Sequence, residues 1–210
     1  MNSPEKFEKY AEMLREWSQK MNLVAPSTLS NIENRHFAES AQLAEYLPRD
    51  VEIIDLGSGA GFPGVVLAIL GFQVLCTESI GKKAEFLTAV RKELGLESNL
   101  RIYCGRVEPL LSIFAGSFDK KRQKDRENLT KIPGMMCEKP REIIFTARAF
   151  APLIKILGYV RGIRCRLYLL KGRDVEKEIA LARRKYNFDY EMIPSKTGDG
   201  FVLIVHFAGR

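Results

Sequence analysis

"VEIIDLGSGAGFPG", residues 51–64, ends a short aliphatic run in Asp55 and then places glycine at four of the next nine positions, Gly57, Gly59, Gly61 and Gly64. An apolar strand that runs into a glycine turn and then into the apolar stretch "VVLAIL" is the start of a βαβ unit. One tight turn does not need four glycines, so the residues also clear space for close approach to the backbone.

The same alternation continues along the chain. Strands are expected at 51–55, 72–77, 100–104, 142–147 and 165–170, with helices at 63–70, 82–94, 150–161 and 174–186. Short apolar strands separated by amphipathic helices imply parallel strands joined by right-handed crossovers, hence an α/β fold with an open, doubly wound sheet. The ending "FDYEMIPSKTGDGFVLIVHF" reads as two strands around a Gly-Asp-Gly turn. This antiparallel C-terminal hairpin brings the sheet to seven strands.

Upstream lies a helical N-terminal extension, residues 1–48. A helix over 3–21 presents Phe7, Tyr10, Leu14, Trp17 and Met21 at spacings of three and four, with Ser3 as its cap and Pro4 in the first turn. A second helix is expected over 28–47, stopped by Pro48. The α/β domain then spans 49–210. It is interrupted by residues 116–141, which carry eight Lys or Arg against four Asp or Glu and read as a basic insertion loop.

A chain of 210 residues with 46% hydrophobic content can bury a real core. No apolar run reaches the roughly 18 to 20 residues of a membrane helix, and the charged, amphipathic start is unlike a signal peptide; a cytoplasmic protein with no membrane association is expected. Four cysteines without a CxxC pair, and only two histidines, argue against a metal site and a disulfide framework. Cys76, Cys104 and Cys165 sit in apolar runs and are expected to be buried. The net charge of +7 makes nucleic acid the first candidate partner.

In open α/β sheets the ligand crevice lies beyond the carboxyl ends of the strands. The loop here is GxGxG, with Phe62 where a dinucleotide fingerprint has its third glycine, so a ligand without a pyrophosphate fits better. The second strand ends in Glu78, 21 residues after Gly57, where a carboxylate can accept from both hydroxyls of a ribose. The third strand ends "YCGRVEPL", placing the backbone of Val107 and the side chain of Glu108 beside an adenine. Together these describe a nucleoside site.

The ordered set "NLV" (22–24), "RHFAES" (35–40), "DLGSGAGFPG" (55–64), "ESIGKKAEFL" (78–87), "GRVE" (105–108), "ARAFAPL" (147–153) and "LLKG" (169–172) resembles the glucose-inhibited division protein B family. These are small-subunit ribosomal RNA methyltransferases G, which have a Rossmann-like class I methyltransferase fold. The resemblance implies S-adenosyl-L-methionine as cofactor and methylation of N7 of a guanine in 16S ribosomal RNA. It places cofactor contacts at Gly57, Phe62, Val107, Glu108 and Arg148 and matches Glu78 to the ribose acid; Gly59 joins them as a cofactor candidate from the glycine loop itself. Glu39 departs from the family's usual Asp, and the 116–141 insertion from its usual course.

Guanine N7 carries a free lone pair, so no general base and no catalytic side chain is expected; the protein's task is positioning. Arg148 could donate to the methionine carboxylate or to guanine O6, and Phe150 could stack on a base. Arg35 and His36 are candidates to face the RNA or cover the cofactor, and Arg106 and Lys171 are candidates for contact with RNA phosphates. The expected partner is 16S rRNA or the 30S particle, met by a monomer. Three alternatives remain open: a class I methyltransferase for a small molecule or protein, a nucleotide-dependent oxidoreductase, and a nucleoside-binding module. GxGxG in place of GxGxxG argues against the oxidoreductase.

Overall fold

A computed structural model describes residues 1–115 and 143–209. The insertion 116–141 and Cys137 lie outside the described residues.

Seven strands form one sheet: β1 (Glu52–Leu56), β2 (Gln73–Glu78), β3 (Leu100–Cys104), β4 (Ile143–Arg148), β5 (Cys165–Lys171), β6 (Asp189–Pro194) and β7 (Phe201–Phe207). Their order is β3-β2-β1-β4-β5-β7-β6. β1 to β5 pair in parallel, and β7 enters antiparallel between β5 and β6. The sequence expectation of a doubly wound sheet with a C-terminal hairpin holds.

The helices are α1 (Ser3–Ser18), the single turn α2 (Glu39–Ala41), α3 (Gly64–Ile69), α4 (Gly81–Glu93), α5 (Val107–Ala115), α6 (Leu153–Tyr159) and α7 (Val175–Arg183). Side chains alternate across a strand, so Ile53 joins a core with α3 and α4 while Ile54 joins one with α5, α6 and α7. On the first face Ile144, Tyr168, Leu170, Val202 and Ile204 share their core with Tyr10, Leu14, Ile32, Phe37 and Leu43 of the N-terminal extension. Because α5 to α7 all pack on the opposite face, the extension covers this part of the sheet.

Three details differ from the sequence reading. Asn2 caps α1 in a reciprocal capping box with Glu5, leaving Ser3 as the first helical residue. The stretch expected as one helix over 28–47 changes winding: 3₁₀ at Pro26–Asn31, π at Glu33–Ala38, α at Glu39–Ala41 and 3₁₀ at Gln42–Glu45. The helix α5 follows "CGR" where only a strand end and loop were read. In addition, Cys104 at the tip of β3 is exposed, whereas Cys76 and Cys165 are buried.

Candidate active site

The strand order reverses between β1 and β4, and a crevice opens beyond their carboxyl ends. The glycine loop after β1 is fastened from beneath. Thr77 Oγ1 donates to the Asp55 carbonyl at 2.9 Å and accepts from Gly57 N, while Ser58 N donates to the Thr77 carbonyl. Asp55 is fully buried; its carboxylate accepts from Gly64 N at 3.2 Å and from Thr146 Oγ1 at 3.1 Å, tying β1, α3 and β4 together. Burial pushes the Asp55 carboxyl up to about 6, against the pull of those hydrogen bonds. The sequence reading noted this acid only as the end of the strand.

Three of the four glycines make room for the protein's own side chains. A Cβ at Gly57 would meet the Phe150 ring, one at Gly61 the Tyr10 hydroxyl and Val65, and one at Gly64 the Asp55 carboxylate and Cys76 sulfur. Gly59 alone of the four has no side chain near its Cβ direction; its φ of +58° is what requires glycine. Gly59 N donates to Glu78 Oε2 at 2.9 Å, and Ile80 N donates to Oε1 at 2.8 Å. Each oxygen keeps a further lone pair. Glu78 is thus buried, oriented by backbone and able to accept from two ribose hydroxyls.

Phe62 contributes to the loop through its main chain only, since its ring is buried among Tyr10, Phe37 and His36. Val107 opens α5, and the N–H of a first helical residue has no acceptor within its helix. Glu108 accepts from Arg106, whose side chain is largely exposed. Gly57, Thr77, Ser79, Gly105, Val107 and Phe150 line a chamber of about 120 Å³ beside the tips of β2 and β3.

A larger chamber of about 760 Å³ adjoins it, lined by Arg35, Glu39, Arg148, Phe150, Lys171 and Arg173 among others. Phe150 lines both. Ala149 holds the chain at φ +52° between Arg148 and Phe150, a left-handed conformation that non-glycine residues rarely adopt. Arg148 reaches the N-terminal extension, donating from Nη2 to His36 Nδ1 and pairing through Nη1 with Glu39 Oε2 at 3.3 Å. The motifs "RHFAES" and "ARAF", about 110 residues apart, therefore meet.

Two candidates take different places from those expected. His36 is buried, stacked on Phe62 with ring centroids 4.8 Å apart, and bonded through Nε2 to Thr28. It backs Arg148 and does not face the chamber as an RNA contact would. Lys171 donates to the Ala151 carbonyl at 2.9 Å and to Glu178 Oε2 at 2.7 Å. It braces the start of α6, where Leu153 N also donates to Glu178, while lining the larger chamber. Arg35 and Arg106 are exposed, as RNA contacts would be.

Residues 3–198 match the family model described as rRNA small subunit methyltransferase G. The chain belongs to this family. Relatives called ribosomal RNA small subunit methyltransferase G include that of Bradyrhizobium diazoefficiens, 35% identical over 98% of this chain and 72% of that protein. That of Hyphomonas neptunium is 34% identical over 98% of this chain and 88% of its own length. Among solved structures, a SAM-dependent methyltransferase from Aquifex aeolicus is similar with a TM-score of 0.55 at 14% identity, covering 87% of this chain and 99% of that one. A methyltransferase from Geobacter sulfurreducens gives 0.53 at 15% identity, covering 97% and 88%. At such identity these two structures speak for the fold, and the family assignment rests on the sequence match.

Proposed function

We propose that the protein transfers the methyl group of S-adenosyl-L-methionine to N7 of a guanine in 16S rRNA. The observation that carries this reading is that a chamber lined by Gly57, Val107 and Glu108 and a larger one lined by Arg148 share the Phe150 ring, in a member of this family. The open backbone at Gly59 and the two free lone pairs of the Glu78 carboxylate fit the ribose of the cofactor. Val107 and Glu108 would flank its adenine.

When bound, the cofactor supplies an electrophilic methyl on a sulfonium, which guanine N7 takes with its own lone pair. The protein's contribution is to hold the two reactants in line, about 3 Å apart, and to exclude water. Arg148 suits either of two acceptors at that point, the methionine carboxylate or guanine O6. No side chain has to remove a proton, because N7 carries none. Residues 1–48 serve as an extension of the methyltransferase domain 49–210, and the enzyme acts as a monomer on rRNA or the 30S particle.

Mapping N7-methylguanine in 16S rRNA from cells with and without the protein tests the substrate; an unchanged map overturns it. Arg148→Ala should keep the fold and lose at least about tenfold in kcat/KM, as expected for removing a charged contact to the reactants. Near-normal turnover removes Arg148 from the site.

A further inference from the structure

We propose that His36 is a positioning residue for Arg148, holding the guanidinium at the mouth of β4 through the lone pair on Nδ1. The inference rests on the reading of Arg148 as a contact to cofactor or guanine.

The bonding pattern fixes every donor. Thr28 Oγ1 donates its one proton to the Ala25 carbonyl at 2.8 Å, so toward His36 it can only accept. The 2.9 Å contact to Thr28 is therefore a donation from His36 Nε2–H, which leaves Nδ1 bare in the neutral ring. Arg148 has donors only, and Nη2 donates into that lone pair. A relay runs from the Ala25 main chain through Thr28 and His36 to Arg148.

The surroundings keep the relay in one state. His36 is stacked on Phe62 with an interplanar angle of 21°, which holds the plane of the ring. The Arg148 guanidinium carbon lies 5.2 Å from the centre of the same Phe62 ring. Glu39, three residues after His36, balances the charge at Nη1. Burial, with Arg148 and Arg35 nearby, pushes the His36 ring down to about 4, so it stays neutral at physiological pH. A long side chain at the edge of a chamber of about 760 Å³ would otherwise lose its orientation. Arg148 is held by a hydrogen bond to His36 and by the Phe62 ring, with the Glu39 carboxylate beside it.

The experiment uses amide substitutions that replace one ring nitrogen at a time. In the full-length chain, His36→Asn places an amide oxygen near the position of Nδ1, and His36→Gln places its amide near Nε2. With a labelled methyl donor and 30S particles, H36N should stay within about threefold of the parent in kcat/KM, and H36Q should lose about tenfold, approaching R148A. Equal activity of H36N and H36Q overturns the inference.

Thr28→Val, at a half-buried position, releases the ring with little risk to folding and should lower kcat/KM in the same direction. Neither T28V nor H36Q should cost anything further in the R148A background, because residues acting through one partner are not additive. An equal further loss there overturns the inference. If R148A itself keeps normal turnover, the reading of Arg148 falls and this inference falls with it.

Discussion

Burial acts in opposite directions on two titratable groups beneath the crevice. Asp55 is raised to about 6 from an ordinary 3.8, so between those values the folded chain holds more protons than the unfolded one, and stability falls as pH rises. The displacement corresponds to about 3 kcal/mol. His36 is lowered to about 4 from 6.5, so the unfolded chain holds more protons and stability rises with pH over that window. In the parent the two slopes oppose each other between pH 4 and 6. Asp55→Asn can still accept from Gly64 N and donate to Thr146 Oγ1. Its melting temperature should gain on the parent's as pH rises from 4 to 6, and that of His36→Asn should lose ground from 4 to 6.5. Melts recorded across this range check both signs.

At this scale the sequence was legible where a residue's role follows from its place on a strand. Glu78 at the end of β2 and the glycines after β1 could be located by counting. The roles of His36 and Lys171 could not, because they depend on Arg148 and Glu178, partners far away in sequence or on another element. Three of the glycines accommodate Phe150, Tyr10 and Asp55, a fact that only packing reveals.

Among the elements, the N-terminal extension has the largest consequence for the site. Tyr10 of α1 is fully buried and donates from its hydroxyl to the Ala60 carbonyl at 2.5 Å, reaching the glycine loop from behind. Gln42 bonds Ser195 and the Lys196 main chain, fastening the extension to the β6–β7 turn as well. Tyr10→Phe would leave a buried carbonyl without its donor, a loss of about 1–3 kcal/mol. The expected result is a lower melting temperature together with a raised KM for S-adenosyl-L-methionine at little changed kcat; an unaltered KM would confine Tyr10 to the core.

The periodicity that announced α1 was strong, with Phe7, Tyr10, Leu14 and Trp17 on one face, although the helix ends at Ser18 and leaves Met21 beyond it. Over 26–45 the pattern is weaker, and the winding changes to put His36 and Phe37 inward at a π-helical turn, a feature common at functional sites. Helix α5 was missed because Pro109 stands in its first turn and reads as a breaker, although proline is tolerated there.

For the molecule as a whole, the strand order decides where chemistry can occur. β1 and β4 are neighbours across about 90 residues of chain, so the loop that carries Gly59 and the strand that carries Arg148 meet only in the finished sheet. The net charge of +7 supplies attraction for a polyanion without regard to sequence. Arg35 is exposed at the rim of the larger chamber and near the β6–β7 turn. If it meets a phosphate, Arg35→Ala should weaken rRNA binding and reduce the slope of log K against log salt by about 1. Titrations at several salt concentrations measure that slope, and an unchanged one assigns Arg35 to another task. No helix among the described residues is long and apolar enough to cross a membrane.

The ring of Phe150 stands between the two chambers and rests on Gly57. For inhibitor chemistry this sets a shape: if the cofactor's nucleoside takes the smaller chamber and the guanine the larger, as the proposed function has it, a compound joining an adenosine to a guanine mimic passes the ring along the bare backbone at Gly57. A slender, unbranched linker suits that passage. A branched one would have to displace Phe150 first, so a series varying only in linker branching should separate sharply in affinity.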